Sequence, residues 1–168
     1  KTERLPDLDS LPIPDERLWP YSPEQRSGIS MPFLSRRGCP LGCRYCSTSS
    51  IEGRRIRMRS PERVGEQLAR HAREGFKHFF CVDNTFNLPE SYAIRLCRCI
   101  QKQAPGITWS GIVYPGRVSQ ELAGAMASAG CTEISLGFES GAPAVLERMG
   151  KRFTPKQVRS TARLFADA

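Results

Sequence analysis

The side chains able to do chemistry crowd into one stretch, Cys39-Pro40-Leu41-Gly42-Cys43-Arg44-Tyr45-Cys46, which places three thiols within eight residues. Pro40 and Gly42 disfavour a helix between them, so the stretch reads as a loop. A loop carrying three closely spaced sulfurs can wrap one inorganic centre, and three is the informative number. A closed structural zinc site takes four ligands, and an ordinary four-iron cluster takes four thiolates. Three leave one metal position open to something else. The chain has seven cysteines. Cys81 falls in an apolar run, and Cys97 and Cys99 stand two apart on a predicted helix, pointing to different faces. With Cys131 they read as small buried hydrophobes. The odd count and ordinary domain length argue against a disulfide framework.

Such a loop needs a scaffold, and the rest of the chain supplies one. Residues 29–34 read as a strand that runs into the cysteine loop. Ser60-Pro61-Glu62 opens a helix with a cap, a proline at the first position and an acid near the positive end. Val64, Leu68 and Ala72 give it an apolar stripe, and Gly75 closes it. Residues 78–82 form a second strand. Pro89 opens a helix with Leu96 and Ile100 on one face, stopped by Pro105-Gly106, and residues 107–113 form a third strand. Ser119 caps a helix bearing Leu122, Met126 and Ala129, closed by Gly130. Residues 132–138 form a fourth strand and 142–149 a short helix. Thr154-Pro155-Lys156-Gln157 is a capping box for a last helix carrying Val158, Ala162 and Phe165.

Strand and helix thus alternate four times, which implies an α/β fold with a parallel sheet and right-handed crossovers. No Gly-x-Gly-x-x-Gly follows the first strand, so a dinucleotide fold lacks support. The cysteine loop sits there instead, at the strand C-terminal end where parallel architectures carry their chemistry.

Residues 1–28 hold Pro6, Pro12, Pro14, Pro20 and Pro23 among charges and are expected to be an extended linker. Leu11, Ile13, Leu18 and Trp19 are its candidates for tacking onto a globular surface. Lys1 begins inside this linker and Ala168 falls within a helical pattern. The expectation is therefore a piece of a longer protein, with a linker over 1–28 and a domain starting at 29 whose later strands lie beyond 168. The formal net charge is +8, carried mostly by arginines clustered between Arg36 and Arg73. No aromatic-interleaved basic stripe or helix-turn-helix pattern accompanies them, so a solvated face or an anionic ligand is preferred over nucleic acid. No run approaches the ~18 apolar residues of a membrane span, and a cytoplasmic location is expected.

The spacing Cys-x3-Cys-x2-Cys, an aromatic Tyr45 just before the third cysteine, and this element order resemble the radical S-adenosylmethionine (radical SAM) family from about Ser30 onward. The resemblance implies an incomplete (β/α) partial TIM barrel of about four parallel units, out of the roughly six the family uses. It implies that Cys39, Cys43 and Cys46 ligate three irons of a [4Fe-4S] cluster, with S-adenosylmethionine chelating the fourth. One electron from the reduced cluster would then break a sulfonium C–S bond, giving methionine and a 5′-deoxyadenosyl radical that takes hydrogen from a substrate. An electron donor such as flavodoxin or ferredoxin is the implied partner.

The resemblance also assigns the surroundings. Tyr45 would lie beside the adenine. Read from the residues alone, Gly42 lets the loop bend around a cluster, and Arg36, Arg37 and Arg44 either offset its charge or stay solvated. Asp83-Asn84-Thr85 stands where the family often has Gly-Gly-Glu, which binds the methionyl ammonium; Asp83 or Asn84 can accept from an ammonium, or form an Asx turn. Glu139 and Ser140, within Gly137-Phe138-Glu139-Ser140-Gly141, would take the ribose hydroxyls and amino-acid part, Ser140 alternatively capping a helix. Arg117, just past the third strand, is a residue that either pairs with a carboxylate or stays at the surface. No general acid, base or nucleophile is identified.

The run Leu11-Pro12-Ile13-Pro14-Asp15, then Leu18-Trp19-Pro20, resembles the linker entering the radical SAM domain of cobalamin-dependent members. It suggests cobalamin held by an upstream domain and methyl transfer to an unactivated centre. The Asp-x-His-x-x-Gly signature of such a domain is not in this sequence, and this stretch alone is expected to be inactive. Two rivals remain. One is an RNA-modifying radical SAM methylthiotransferase, suggested by the arginines. The other is a non-enzymatic zinc module completed by His71 or His78.

Overall fold

The computed structural model describes residues 4–15, 18 and 20–168. Four parallel strands form its sheet: β1 (Ser30–Phe33), β4 (His78–Cys81), β5 (Thr108–Val113) and β6 (Cys131–Leu136), in spatial order β1-β4-β5-β6. Between β1 and β4 come β2 (Arg36–Arg37), α2 (Thr48–Ile51), β3 (Arg57–Met58) and α3 (Pro61–Arg73). The crossovers α4 (Glu90–Gln103) and α5 (Gln120–Ser128) follow β4 and β5, and α6 (Pro143–Met149) and α7 (Pro155–Ala166) follow β6. Each strand thus lies beside its sequence neighbour, as right-handed β-α-β units arrange them. The sheet is open, with β6 at one edge.

The caps act where the sequence places them. Ser60, Ser119 and Thr154 accept hydrogen bonds from the backbone N–H groups of Arg63, Leu122 and Gln157. Gly75 and Gly130 follow their helices with φ of 97° and 83°. At Gly130 a side chain is barred outright, because a Cβ would stand 2.2 Å from the Ile107 carbonyl oxygen. Strand residues alternate between the two faces. Met31, Phe33, Phe79, Cys81, Trp109 and Val113 join Val64, Leu68, Leu96, Ile100, Leu122 and Met126 in one buried cluster. At roughly 1.5–3 kcal/mol for each fully buried large apolar side chain, this layer is the main source of stability. Phe80 and Val82 point the other way and remain more than one-third exposed.

The structure adds to the expectations at three points. Within residues 1–28, α1 (Pro23–Arg26) forms one helical turn, with Gln25 Oε1 accepting from the Ser22 N–H at 2.9 Å. Leu8 is the fully buried side chain of this segment; of the candidates, Leu11 and Ile13 are half-buried and Leu18 is 78% exposed, and Trp19 lies outside the described residues. Leu8 is held there because the Asp9 carboxylate accepts from the Ser60 N–H, docking the segment at the start of α3. The sequence reading also missed the antiparallel ribbon of β2 and β3, in which Arg36 faces Met58 and Arg37 faces Arg57. The cysteine loop is the connection of this ribbon, so both of its ends are anchored.

Candidate functional site

The loops at the C-terminal ends of the strands are stitched together by single polar residues. Asp83, just past β4, is fully buried, and its carboxylate accepts from the Ser35 N–H at 2.8 Å and the Arg36 N–H at 3.1 Å. It also accepts from the Ser35 hydroxyl and pairs with the Arg36 guanidinium at 3.2 Å. Asn87 performs the same service between the next loops, donating to the Tyr114 and Arg117 carbonyls and accepting from the Tyr114 N–H. The Tyr114 hydroxyl in turn accepts from the Arg152 N–H at 2.9 Å. Most buried polar groups are partnered, and the partners of Asp83 and Asn87 lie on neighbouring strands' loops.

The thiol loop starts from this tied edge. Its entry needs glycine at position 38, where φ is 95° and a Cβ would stand 2.2 Å from the Arg55 carbonyl oxygen. Glu52 accepts from the Gly38 N–H at 2.9 Å, and the Cys39 N–H donates to the Gly53 carbonyl at 3.0 Å. Further on, the Arg44 N–H donates to Met149 O at 3.0 Å, fastening the loop to the end of α6. Cys39 is buried, Cys43 half-buried and Cys46 exposed. Burial pushes the Cys39 thiol pKa up; the Leu41 backbone opposes this, neighbouring Cys43 and Cys46 add to it, and the Thr85 hydroxyl weakly opposes it. The Thr85 hydroxyl is buried beside them without a hydrogen bond of ordinary geometry.

Three thiols on one short loop are a donor set for an iron–sulfur cluster, or for zinc with a fourth ligand from elsewhere. Thiolates sharing a single zinc stand about 3.8 Å apart, given Zn–S bonds of ~2.3 Å in a tetrahedron. Among the described residues no three His, Cys, Asp or Glu side chains converge in that way. The histidines of the zinc alternative are misplaced as well. His78 opens β4 level with Ser30, at the opposite strand end from the thiols, and its ring is bonded to the Thr108 hydroxyl. His71 is buried in the last turn of α3 against Phe76.

Opposite the thiols stands the end of β6, which stops at Leu136, two residues short of the expected end. The chain turns there because Glu139 adopts φ of 69°, the left-handed region that a non-glycine residue enters only when its surroundings enforce it. Those surroundings are Lys151 and Tyr45. The Lys151 side chain is nearly buried; its ammonium donates to Gly137 O at 2.8 Å and pairs with Glu139 at 3.4 Å. It also lies 5.3 Å from the Tyr45 ring centroid, within cation–π range. The Tyr45 hydroxyl donates to Glu139 Oε1 at 2.8 Å. Burial first, and then Glu139, raise the phenol pKa well above its ordinary 10.0, so it stays a donor. No hydrogen bond to Glu139 Oε2 is formed among the described residues, and Glu139 is exposed.

Other expected residues have different work. Asp83 is committed to the fold, with both oxygens engaged, and Arg36 is a buried guanidinium stacked 4.8 Å from Tyr92 rather than a charge at the thiols. Asn84 stays at the surface, accepting from Thr48 and donating to Glu52; Thr48 accepts from Cys46 Sγ at 3.3 Å. Arg37 pairs loosely with Glu52 at 3.8 Å. Ser140 accepts from the Ala142 N–H ahead of α6. Arg117 lines a different groove, with Leu41, Arg54 and Arg152. Glu52, Thr48 and Lys151 were missed. Only Lys151 left a trace in sequence, directly after the left-handed Gly150 that ends α6.

Comparison with known proteins adds the relatives. A model described as the Radical SAM superfamily matches residues 34–168. An uncharacterized methyltransferase of Pyrococcus horikoshii is 34% identical over 157 residues, covering 91% of this chain and 34% of the relative. Bacteriochlorophyllide d C-12(1)-methyltransferase of Chlorobaculum tepidum is 28% identical over 90% of this chain and 34% of its own length. The chain thus spans about a third of the curated relatives it matches. Among solved structures, the radical S-adenosylmethionine methyltransferase TsrM from Kitasatospora setae superposes with a TM-score of 0.78 at 23% identity, over 84% of this chain and 29% of that one. A second structure of TsrM has cobalamin and a [4Fe-4S] cluster bound. At that identity the likeness establishes the fold. No helix among the described residues is long and apolar enough to cross a membrane.

Proposed function

The chain belongs to the radical SAM superfamily, and on that premise we propose that the protein is a cobalamin-assisted radical SAM methyltransferase. Cys39, Cys43 and Cys46 would hold a [4Fe-4S] cluster that, with S-adenosylmethionine on its open iron, supplies reductive cleavage of a sulfonium C–S bond. The chain's own residues then have definable tasks. Glu52 and Gly53 hold the loop entry by its backbone, so that Cys39 is presented from a fixed position. Tyr45 offers its ring as a wall beside the thiols and keeps its proton on the bond to Glu139. Lys151 and Tyr45 occupy Glu139 Oε1, which leaves Oε2 to accept from the hydroxyl or ammonium groups of a bound ligand. Phe80 and Val82 stand on the open face of the sheet, which they share with His78, Thr108 and Ser110.

The observation that carries this reading is the Tyr45–Glu139 bond, because it brings the thiol loop and the β6 exit into one site. The methyl-transfer part is supported by the relatives' names, and cobalamin by the bound state of TsrM. Anaerobic reconstitution of the full-length protein tests it. We expect iron and sulfide uptake, a visible charge-transfer band and cleavage of S-adenosylmethionine, all lost in Cys43→Ala. Uptake of zinc in place of iron and sulfide would overturn the reading.

A further inference from the structure

The cysteine loop has a second side. Leu41, between Cys39 and Cys43, forms a wall of a groove of about 460 Å³ whose apolar lining includes Ile56 and Leu88. Arg54, Arg117 and Arg152 rim it, and no acidic residue lines it. None of the three guanidinium groups makes an ion pair or hydrogen bond among the described residues, in contrast to Arg26, Arg36, Arg37, Arg57, Arg63 and Arg98. The rim comes from three separate segments: the thiol loop's return, the loop after β5 and the segment between α6 and α7. Their charges add along the groove to a cationic rim that favours an anionic partner. Tyr45, Glu139 and Ser140 are absent from the lining, so the groove is separate from the contact assigned above to S-adenosylmethionine.

We propose that this groove is the docking surface for an acidic one-electron carrier protein, of the flavodoxin or ferredoxin type. The proposal rests on the radical SAM reading and names the partner of that same centre. Charge complementarity selects the partner: a cationic rim around an apolar floor matches an acidic surface around an exposed redox group, and such pairs associate quickly and in fixed register. Position supplies the purpose. A protein seated here touches Leu41, two residues from each of Cys39 and Cys43. One electron leaves the carrier, which is oxidised by one equivalent, and enters the cluster, which is reduced by one; no bond or proton moves with it. The opposite side of the loop stays free for the substrate cofactor.

The test uses the full-length protein, reconstituted with its cluster, and flavodoxin as the probe. Charge reversal by Arg54→Glu together with Arg152→Glu should weaken flavodoxin binding at least tenfold and slow cluster reduction by reduced flavodoxin to the same degree. Reduction by dithionite, a small chemical reductant, should be unchanged, and the parent's flavodoxin affinity should fall as salt is raised. An affinity and flavodoxin-driven rate indifferent to the reversal overturn the docking assignment. A change in affinity for S-adenosylmethionine with none for flavodoxin also overturns it, since the groove would then belong to the small-molecule site. A parent that takes up no iron and sulfide overturns both this proposal and the radical SAM reading, whereas a loaded parent that fails only the flavodoxin arm overturns the docking alone.

Discussion

The Tyr45 hydroxyl and the Glu139 carboxylate meet at 2.8 Å although they are 94 residues apart in the chain. One belongs to the connection of a two-stranded ribbon, the other to a left-handed turn beyond the edge strand. Their bond closes the path from the thiols across the ends of the sheet. Lys151 sits behind both, as counter-charge to one and as a cation against the ring of the other.

Removing the phenol should therefore loosen Glu139 without touching the thiols. Tyr45→Phe in the reconstituted full-length protein is expected to weaken S-adenosylmethionine binding by about three- to tenfold, in line with the roughly 0.5–1.5 kcal/mol net contribution of one hydrogen bond. Iron content per chain should stay the same. Titration calorimetry and an iron assay on the same sample decide it, and equal affinity would leave Tyr45 with a packing role only.

Lys151→Met should cost stability as well as affinity. It strips the Gly137 carbonyl of its donor and leaves Glu139 with the Tyr45 hydroxyl alone, while the surrounding rings stay in place. A loss of about 1–3 kcal/mol in urea unfolding is expected, the usual range for a stranded buried polar group. Lys151→Arg should recover part of it, because a cation can still reach both acceptors.

Asp83 separates a structural role from a ligand role. Asp83→Ala leaves the buried Arg36 guanidinium unpaired and the Ser35 N–H without an acceptor. Breaking one side of a buried pair costs about 3–5 kcal/mol, so the variant should unfold well below the parent's melting temperature. An unchanged melting temperature with weaker S-adenosylmethionine binding would instead return Asp83 to the ligand site.

The thiols away from the loop predict a dependence on alkaline pH. Burial raises the pKa of Cys97 well above its ordinary 9.0 and pushes that of Cys131 up to about 12. The folded state thus favours the neutral thiols. Their contribution is complete below pH 9, where unfolded thiols are also protonated, and is lost between about pH 9 and 12 as the unfolded chain releases protons first. Urea midpoints should fall on going from pH 8 to pH 10.5, and Cys131→Ala should make the fall shallower. Alkylation at pH 8 should label the exposed Cys46 and spare Cys81 and Cys97.

Much of this was legible in the linear sequence because the signals are short-ranged. Caps at Ser60, Ser119 and Thr154 act over three residues, apolar stripes such as Val64–Leu68–Ala72 over one or two turns, and the thiol spacing over eight positions. These local rules determined the four βα units, their parallel order and the loop able to hold a cluster. Tertiary structure alone decided which polar residues serve the site. Asp83 and Arg36 look like surface chemistry in sequence and become a buried pair, because the loop after β4 meets the start of the ribbon. Lys151 looks like an ordinary solvated lysine and becomes the buried cation that holds Glu139 in a left-handed turn. Burial, charge pairing and backbone strain depend on which segments arrive together, and residues 45, 139 and 151 come together only when the ribbon, the edge strand and the segment after α6 pack at one end of the sheet.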